Sequence, residues 1–275
     1  MNIKDLNVQD YMAMIDSVEK AQGIIHTNVN VEIRKKDGTT LFRDLGSNAS
    51  LIGGVQDYVK NLWNIQTSDL LTFPNLDSEF TGLPSPVYTS DRRVIFGYGI
   101  GIDGASGSTI YPVKRHTKGY DKDKLIAFNT VNTGLDDITT NLNKYVFRVV
   151  DGTDALYYIK KIVPEYKCIT AKGKVKLPDN PTVNYSGAED VRAHCRIRST
   201  IEKDEAVRWF GKKYGTTDSS HINSIILFAG RPCTVSISGQ QYTTYRDIIA
   251  TNKINFKNIE LNDTEVVITY DIYFV

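Results

Sequence analysis

Cysteine is scarce: Cys168, Cys195 and Cys233 are the only three in 275 residues, widely spaced and without a CxxC pair. An odd, scattered set excludes a disulfide framework and predicts reduced thiols and synthesis inside a cell. Histidine is nearly as rare. His26, His116, His194 and His221 form no HxH or HxxxH pair, and His194 and Cys195, as neighbours on a strand, point to opposite faces, so no metal-ligand set is spelled out. An excess of charge of one sign is also missing. With 33 basic and 32 acidic side chains the net charge is +1, which excludes a global field drawing the chain to nucleic acid or an anionic membrane. No window approaches 18 consecutive apolar residues, and the opening MNIKDLNVQDYMAMIDSVEKAQGII has no basic region leading into an apolar run. Neither a membrane span nor an export signal is expected.

What is present is strand after strand. The closing segment Glu265–Val275 alternates, with Val266, Ile268, Tyr270, Ile272 and Phe274 on one face and Val267, Thr269, Asp271, Tyr273 and Val275 on the other. From Arg93 onward, short β-branched or aromatic runs (VIFGYGIGI, KLIAFNTV, KYVFRVV, ALYYIKKIV, KCITAKGKVKL, VRAHCRIRST) are separated by turn residues. Before them, Val29–Arg34 and Thr39–Leu45 are joined by a segment containing Asp37-Gly38, a strong hairpin signal. Helical spacing marks residues 8–21 and a stripe of Leu51, Val55, Tyr58, Val59 and Leu62 behind an Asn48 cap. A short helix is drawn over Lys203–Lys213, with Ala206, Val207 and Phe210 inward. Residues 66–92, with Pro74, Pro84 and Pro86, read as a long irregular loop of the kind that lies against a partner. The expected fold is mainly β, an antiparallel sandwich or jelly-roll-like domain with two or three peripheral helices, drawn as a single domain over residues 1–275.

The candidate chemistry is thin. Gly99, Gly101 and Gly104 spell GxGxxG, but Gly107 and Pro112 prevent a helix from starting where a dinucleotide phosphate would need its N-terminus. A bent strand and a surface loop are the expectation there. Gly104-Ala105-Ser106-Gly107-Ser108 misses the glycine spacing of a nucleophile elbow. The carboxylates Asp136/Asp137 and Glu202/Asp204/Glu205 read as solvated surface. No catalytic residue, cofactor site or metal site is assigned, and the chain is expected not to be an enzyme. Two basic strand faces stand out: Lys172, Lys174 and Lys176, and Arg192, His194, Arg196 and Arg198 opposite Val191, Ala193, Cys195 and Ile197. They read as the solvated outer face of a sheet, with a phosphate, DNA or acidic-protein contact as the alternative. Sixteen tyrosines and two tryptophans suit β packing, a protein interface or carbohydrate stacking.

The order of parts adds something that composition does not. A hairpin (VNVEIRKKDGTTLFRDLG) precedes a helix opening on small residues (SNASLIGGVQDYVKNLW). A glycine-punctuated strand follows (RRVIFGYGIGIDGASGS), then INSIILFAG, and then YRDIIATNKINF and VVITYDIYF at the end. This order resembles a family of tailed-bacteriophage virion proteins of tails, baseplates and necks. The resemblance covers most of the chain except 66–92 and 136–190. It implies a non-enzymatic, β-rich subunit in a homo-oligomeric ring, a neck, collar or tail-completion protein joining head to tail, located in the virion after synthesis in the host cytoplasm. The partners it implies are further copies of itself and other virion proteins (connector, tail tube or sheath, baseplate), without a membrane. A baseplate or tail-fibre adaptor is the nearest alternative, and a carbohydrate-binding module is the alternative from another class. Helix 8–21 (Tyr11, Met12, Ile15) and loop 66–92 (Phe73, Leu76, Phe80) are the expected assembly arms.

Overall fold

The computed structural model describes residues 27–45, 49–50, 84–102, 125–170, 175–176, 191–218, 220–261 and 265–274. Helix 8–21, the stripe from Leu51 to Leu62 and the interface candidates Tyr11, Met12, Ile15, Phe73, Leu76 and Phe80 lie outside the described residues. In chain order the elements are β1 (Thr27–Lys35), β2 (Thr40–Leu45), β3 (Ala49–Ser50), β4 (Val87–Tyr88), β5 (Val94–Gly101), β6 (Leu125–Ile126) and β7 (Asn129–Asn132). Then come helix α1 (Leu135–Asn141), β8 (Tyr145–Asp151), β9 (Asp154–Lys161), β10 (Glu165–Thr170), β11 (Val175–Lys176) and β12 (Val191–Ile201). Helix α2 (Val207–Tyr214), β13 (His221–Ile237), β14 (Gln240–Glu260) and β15 (Val266–Phe274) complete the set. The protein is mainly β, and every strand pair among the described residues is antiparallel.

These strands divide between two compact units built from interleaved segments. One is drawn from within Leu6–Ser47, Ile162–Glu202 and Thr264–Val275, the other from within Asn48–Lys161 and Lys203–Asp263. The first unit holds a sheet of order β11-β10-β12-β15-β1-β2. Its hairpin forms where Asp37-Gly38 predicts: Gly38 takes φ +95°, its N–H donates to the Lys35 carbonyl, and the Asp37 carboxylate accepts from the Thr39 N–H at 2.8 Å. Register places Val31 and Ile197 on either side of Tyr270, and Ile33 beside Ile268. All five are buried, so β12, β15 and β1 share an apolar layer on one face of the sheet. Each such side chain contributes about 1.5–3 kcal/mol by leaving water. The alternation expected for the closing strand holds from Val266 to Tyr270 and breaks at Asp271, which is also buried.

The Tyr270 hydroxyl lies in this layer and has no hydrogen-bond partner among the described residues. A buried, unsatisfied hydroxyl opposes folding, so Tyr270→Phe is expected to leave stability unchanged or raise it by up to about 1 kcal/mol in a denaturant titration. A loss of more than about 1 kcal/mol would reveal a partner for that oxygen.

The second unit holds the longer sheet, of order β3-β14-β13-β5-β9-β7, with β4 added to β13, β6 to β5 and β8 to β9. Its spine is the hairpin β13–β14, paired from His221↔Glu260 to Ile237↔Gln240. Ser238 (φ +50°) and Gly239 (φ +81°) form the two-residue turn, the left-handed pair that matches strand twist. Beside the turn, Val235, Ile237 and Tyr242 pack with Ile138 and Leu142 at α1.

Three local readings are corrected. Ala49 and Ser50 pair with Lys253 and Asn252 as β3, so no helix starts directly behind Asn48. The end of the 66–92 loop is not irregular throughout, since Val87–Tyr88 is a strand. Helix α2 begins at Val207 rather than Lys203, because Ala206 turns at φ +68° and donates its N–H to the Phe128 carbonyl. Ala206 and Phe210 are buried as expected, with Trp209 beside them, while Val207 is only half-buried.

Candidate functional site

The glycine-punctuated strand is a packing device. Gly97 and Gly99 lie within β5 between β13 and β9, where Gly97 pairs with Phe228 on one side and Lys161 on the other. A Cβ on Gly97 would lie 2.6 Å from Ile159 Cγ2 and 2.7 Å from the Lys160 carbonyl oxygen, and one on Gly99 would lie 2.9 Å from Phe228 Cε2. Close backbone approach therefore demands glycine here. Gly104 lies outside the described residues.

Two buried ionic clusters form in the second unit, both around acids read from sequence as solvated surface. Asp137 is only 6% exposed. It sits in the first turn of α1, and its carboxylate accepts from Arg148 Nε at 3.0 Å, Arg148 Nη2 at 2.9 Å, the Tyr157 hydroxyl at 2.6 Å and the Gly134 N–H at 2.7 Å. Asn141 extends the network, donating to the Asp137 carbonyl and accepting from Asn129 at 2.6 Å. Burial raises the Asp137 pKa, but hydrogen bonds from Arg148, Tyr157 and the Gly134 amide outweigh it and hold the carboxyl below its ordinary value. Burial, reinforced by Asp137, pushes the Tyr157 phenol far above its usual range. The chemistry is that of a clamp, in which an anion at a helix N-terminus is fixed to the β8–β9 hairpin. The available sequence signal was the acid three residues after Gly134, the capping-box position that favours helix initiation.

Glu205 is the second centre, 5% exposed. It accepts from Lys160 Nζ at 2.7 Å, Lys144 Nζ at 3.0 Å and the Tyr145 hydroxyl. The turn before α2 is thereby tied to the same hairpin. Nothing in the local sequence distinguishes Glu205 from the neighbouring Glu202 and Asp204, which are exposed while Glu205 is buried.

Lys161 completes the set. Its ammonium donates to the Leu142 carbonyl at the end of α1 and to the Thr243 carbonyl of β14 at 2.6 Å, and burial lowers its pKa to about 8. The unfolded chain, with an ordinary lysine value of about 10.4, binds more protons above pH 8, so this group makes stability rise with pH between about 8 and 10. In urea titrations across that range the stability of the wild type relative to Lys161→Met is expected to rise with pH, the comparison cancelling the other groups that titrate there. A difference between the two proteins that stays constant with pH would reject the assignment.

The basic strand faces are only partly free. Cys195 and Ile197 are buried while Arg198 is exposed, which is the expected alternation. Arg196, however, pairs with Asp271 of β15 through Nε at 2.7 Å and Nη2 at 3.1 Å, and lies opposite Glu165 of β10. Lys176 and Arg192 stand on β11 and β12, and Lys172 and Lys174 lie outside the described residues. Among the described residues no three His, Cys, Asp or Glu side chains are placed to hold a metal. None of the described helices is long and apolar enough to cross a membrane.

One further group involves the surface. Arg231 of β13 gathers the end of the proline-rich segment. It donates to the Asp91 carboxylate at 2.9 Å and the Asp247 carboxylate at 3.0 Å, and its guanidinium lies 4.1 Å from the Tyr88 ring centre. Arg93 Nε donates to the Asp247 carbonyl at 2.7 Å, where Asp247 adopts φ +51°. The Thr89 N–H donates to the Pro232 carbonyl at 3.0 Å. Sequence reading missed this anchor because its residues are about 140–160 positions apart.

Together these observations define a mainly β, antiparallel-sheet protein whose buried charges hold structural elements to one another. No family model, curated protein or solved structure matches the chain.

Proposed function

We propose that this chain is a structural subunit of a tailed-phage virion, a neck, collar or tail-completion protein that joins head to tail as a ring of identical copies. What supports the reading is the resemblance of its order of sequence segments to that of such proteins, together with the way those segments pair. The VNVEIRKKDGTTLFRDLG hairpin is β1–β2, and β1 lies against the closing VVITYDIYF strand. The FGYGIG strand lies against INSIILFAG. The segments behind the resemblance thus include neighbouring interior strands of each sheet. The buried clusters around Asp137 and Glu205 favour an architectural role, since each carboxylate is engaged by several donors from other elements.

The test is localisation in the particle. Antibody against this chain, applied to purified particles from the host that carries its gene, is expected to label the junction of head and tail. Label at the far end of the tail would favour the baseplate or fibre adaptor instead. Particles containing no peptide of this chain by mass spectrometry would overturn both readings.

A further inference from the structure

The outward face of the first unit's sheet carries a compact grid of arginines and threonines. Cross-strand register aligns Arg43, Glu32, Thr269 and Arg198 in one row over β2, β1, β15 and β12. The next row is Thr40, Arg34, Val267 and Thr200. The buried Ile33, Ile268 and Ile197 lie on the other side, so these eight positions face away from the apolar layer. Arg34, Arg43 and Arg198 are exposed. Glu32 accepts from Arg34 Nη2 at 2.7 Å and from Arg43 Nη2 at 2.8 Å through the same oxygen, which fixes two of the guanidiniums in place. Three guanidiniums against this single carboxylate leave the grid with two uncompensated positive charges. The charges around it cancel more nearly: Lys36 pairs with Glu265 and Arg196 with Asp271, with Glu165 beyond on β10.

We propose that this grid is a sequence-independent contact for the phosphate backbone of a nucleic-acid duplex. With strands about 4.8 Å apart, it spans about 14 Å across the sheet and about 7 Å along it. A duplex presents a phosphate charge about every 1.7 Å of its axis, so a surface of that span meets several wherever it lands. Arginine and threonine both donate to phosphate oxygens, and guanidiniums already fixed on Glu32 need little ordering on contact. Val267 is the one apolar side chain among the eight, too little for the apolar centre of a protein interface. No aromatic ring stands among them to receive an unstacked base, which sets a single strand aside. The net charge of +1 over the whole chain is no obstacle, because contact depends on the local excess within a Debye length of about 8 Å. The proposal stands apart from the virion reading, and its test does not involve particles.

Fluorescence anisotropy of a labelled DNA duplex of about 20 base pairs, titrated with the full chain, checks it. Binding is expected at about 20 mM salt, and it should weaken about 10- to 40-fold between about 50 and 200 mM, the slope for two to three phosphates neutralised. Arg43→Ala and Arg198→Ala are each expected to weaken it at least about threefold and to lower the salt slope by about one. Glu32→Gln is expected to strengthen it at least about twofold by removing the carboxylate that repels phosphate, an effect that damage to the fold would not produce. Arg208→Ala, at an exposed position of α2 in the other unit, serves as the control that changes nothing. A wild type that does not bind at about 20 mM salt would overturn the proposal, as would Arg43→Ala and Arg198→Ala variants that keep the salt slope and an affinity within about twofold. Displacement of the labelled duplex by polyglutamate at a lower charge concentration than by unlabelled duplex would also overturn it, and would assign the face to an acidic protein.

Discussion

Replacing Asp137 by alanine is expected to destabilise the second unit by about 3–5 kcal/mol, with a fall in Tm of roughly 10 °C. The size follows from what remains behind. Arg148 is as buried as Asp137, and without the carboxylate its guanidinium keeps its charge in a site closed to water. The Tyr157 hydroxyl and the Gly134 N–H lose the same acceptor. The pair is not for that reason a large net source of stability, because bringing both ions out of water offsets much of their attraction. The double variant Asp137→Leu/Arg148→Met is therefore expected to recover most of the loss, and a thermodynamic cycle over the four proteins measures the coupling. A single-variant loss below about 1 kcal/mol would mean that the carboxylate is not the centre of the clamp. The pH dependence has a definite sign. The folded carboxyl lies below the unfolded value of about 3.9, so its contribution is present above that pH and disappears as pH falls through the folded value.

Gly97→Ala is expected to be nearly as damaging, at about 3 kcal/mol, through the opposite fault of overpacking. The added methyl would meet Ile159 Cγ2 at 2.6 Å and the Lys160 carbonyl oxygen at 2.7 Å. The second of these is backbone, so relief requires β5 and β9 to separate where Gly97 pairs with Lys161. The Glu205 cluster, which uses Lys160, moves with that strand. The same substitution at Gly211 should have the opposite sign. There a Cβ meets only Thr217 Cγ2 at 3.4 Å within helix α2, and alanine in place of a helical glycine stabilises by about 0.5–1 kcal/mol. Chemical denaturation of both variants checks the contrast. If both changed stability equally, crowding at Gly97 would not be the reason for its glycine.

Much of this architecture was readable because strands announce themselves locally. The runs from Val94 to Ile201, the Asp37-Gly38 hairpin and the closing alternation depend on side-chain period and turn chemistry within about ten residues. The helix over Lys203–Lys213 was found with the wrong start, since its first residue is decided by a hydrogen bond from Ala206 to Phe128, far back in the chain. The acids misled for a related reason. Asp137 and Glu205 stand in charge-rich segments, and whether such a residue is solvated depends on whether distant partners such as Arg148 or Lys160 arrive beside it.

By itself, then, the amino-acid sequence determined the class of the protein: mainly β, without a disulfide framework, with hairpins and alternating faces in known places. Only the tertiary structure decided how those strands are shared between two interleaved units, which charges are buried as clamps, and that the glycines of β5 answer to neighbouring strands rather than to a phosphate. The physical reason is range. Periodicity and turn preference act between neighbours in the chain, whereas burial of an ion or close approach of two backbones is a property of residues that meet only after the chain has folded.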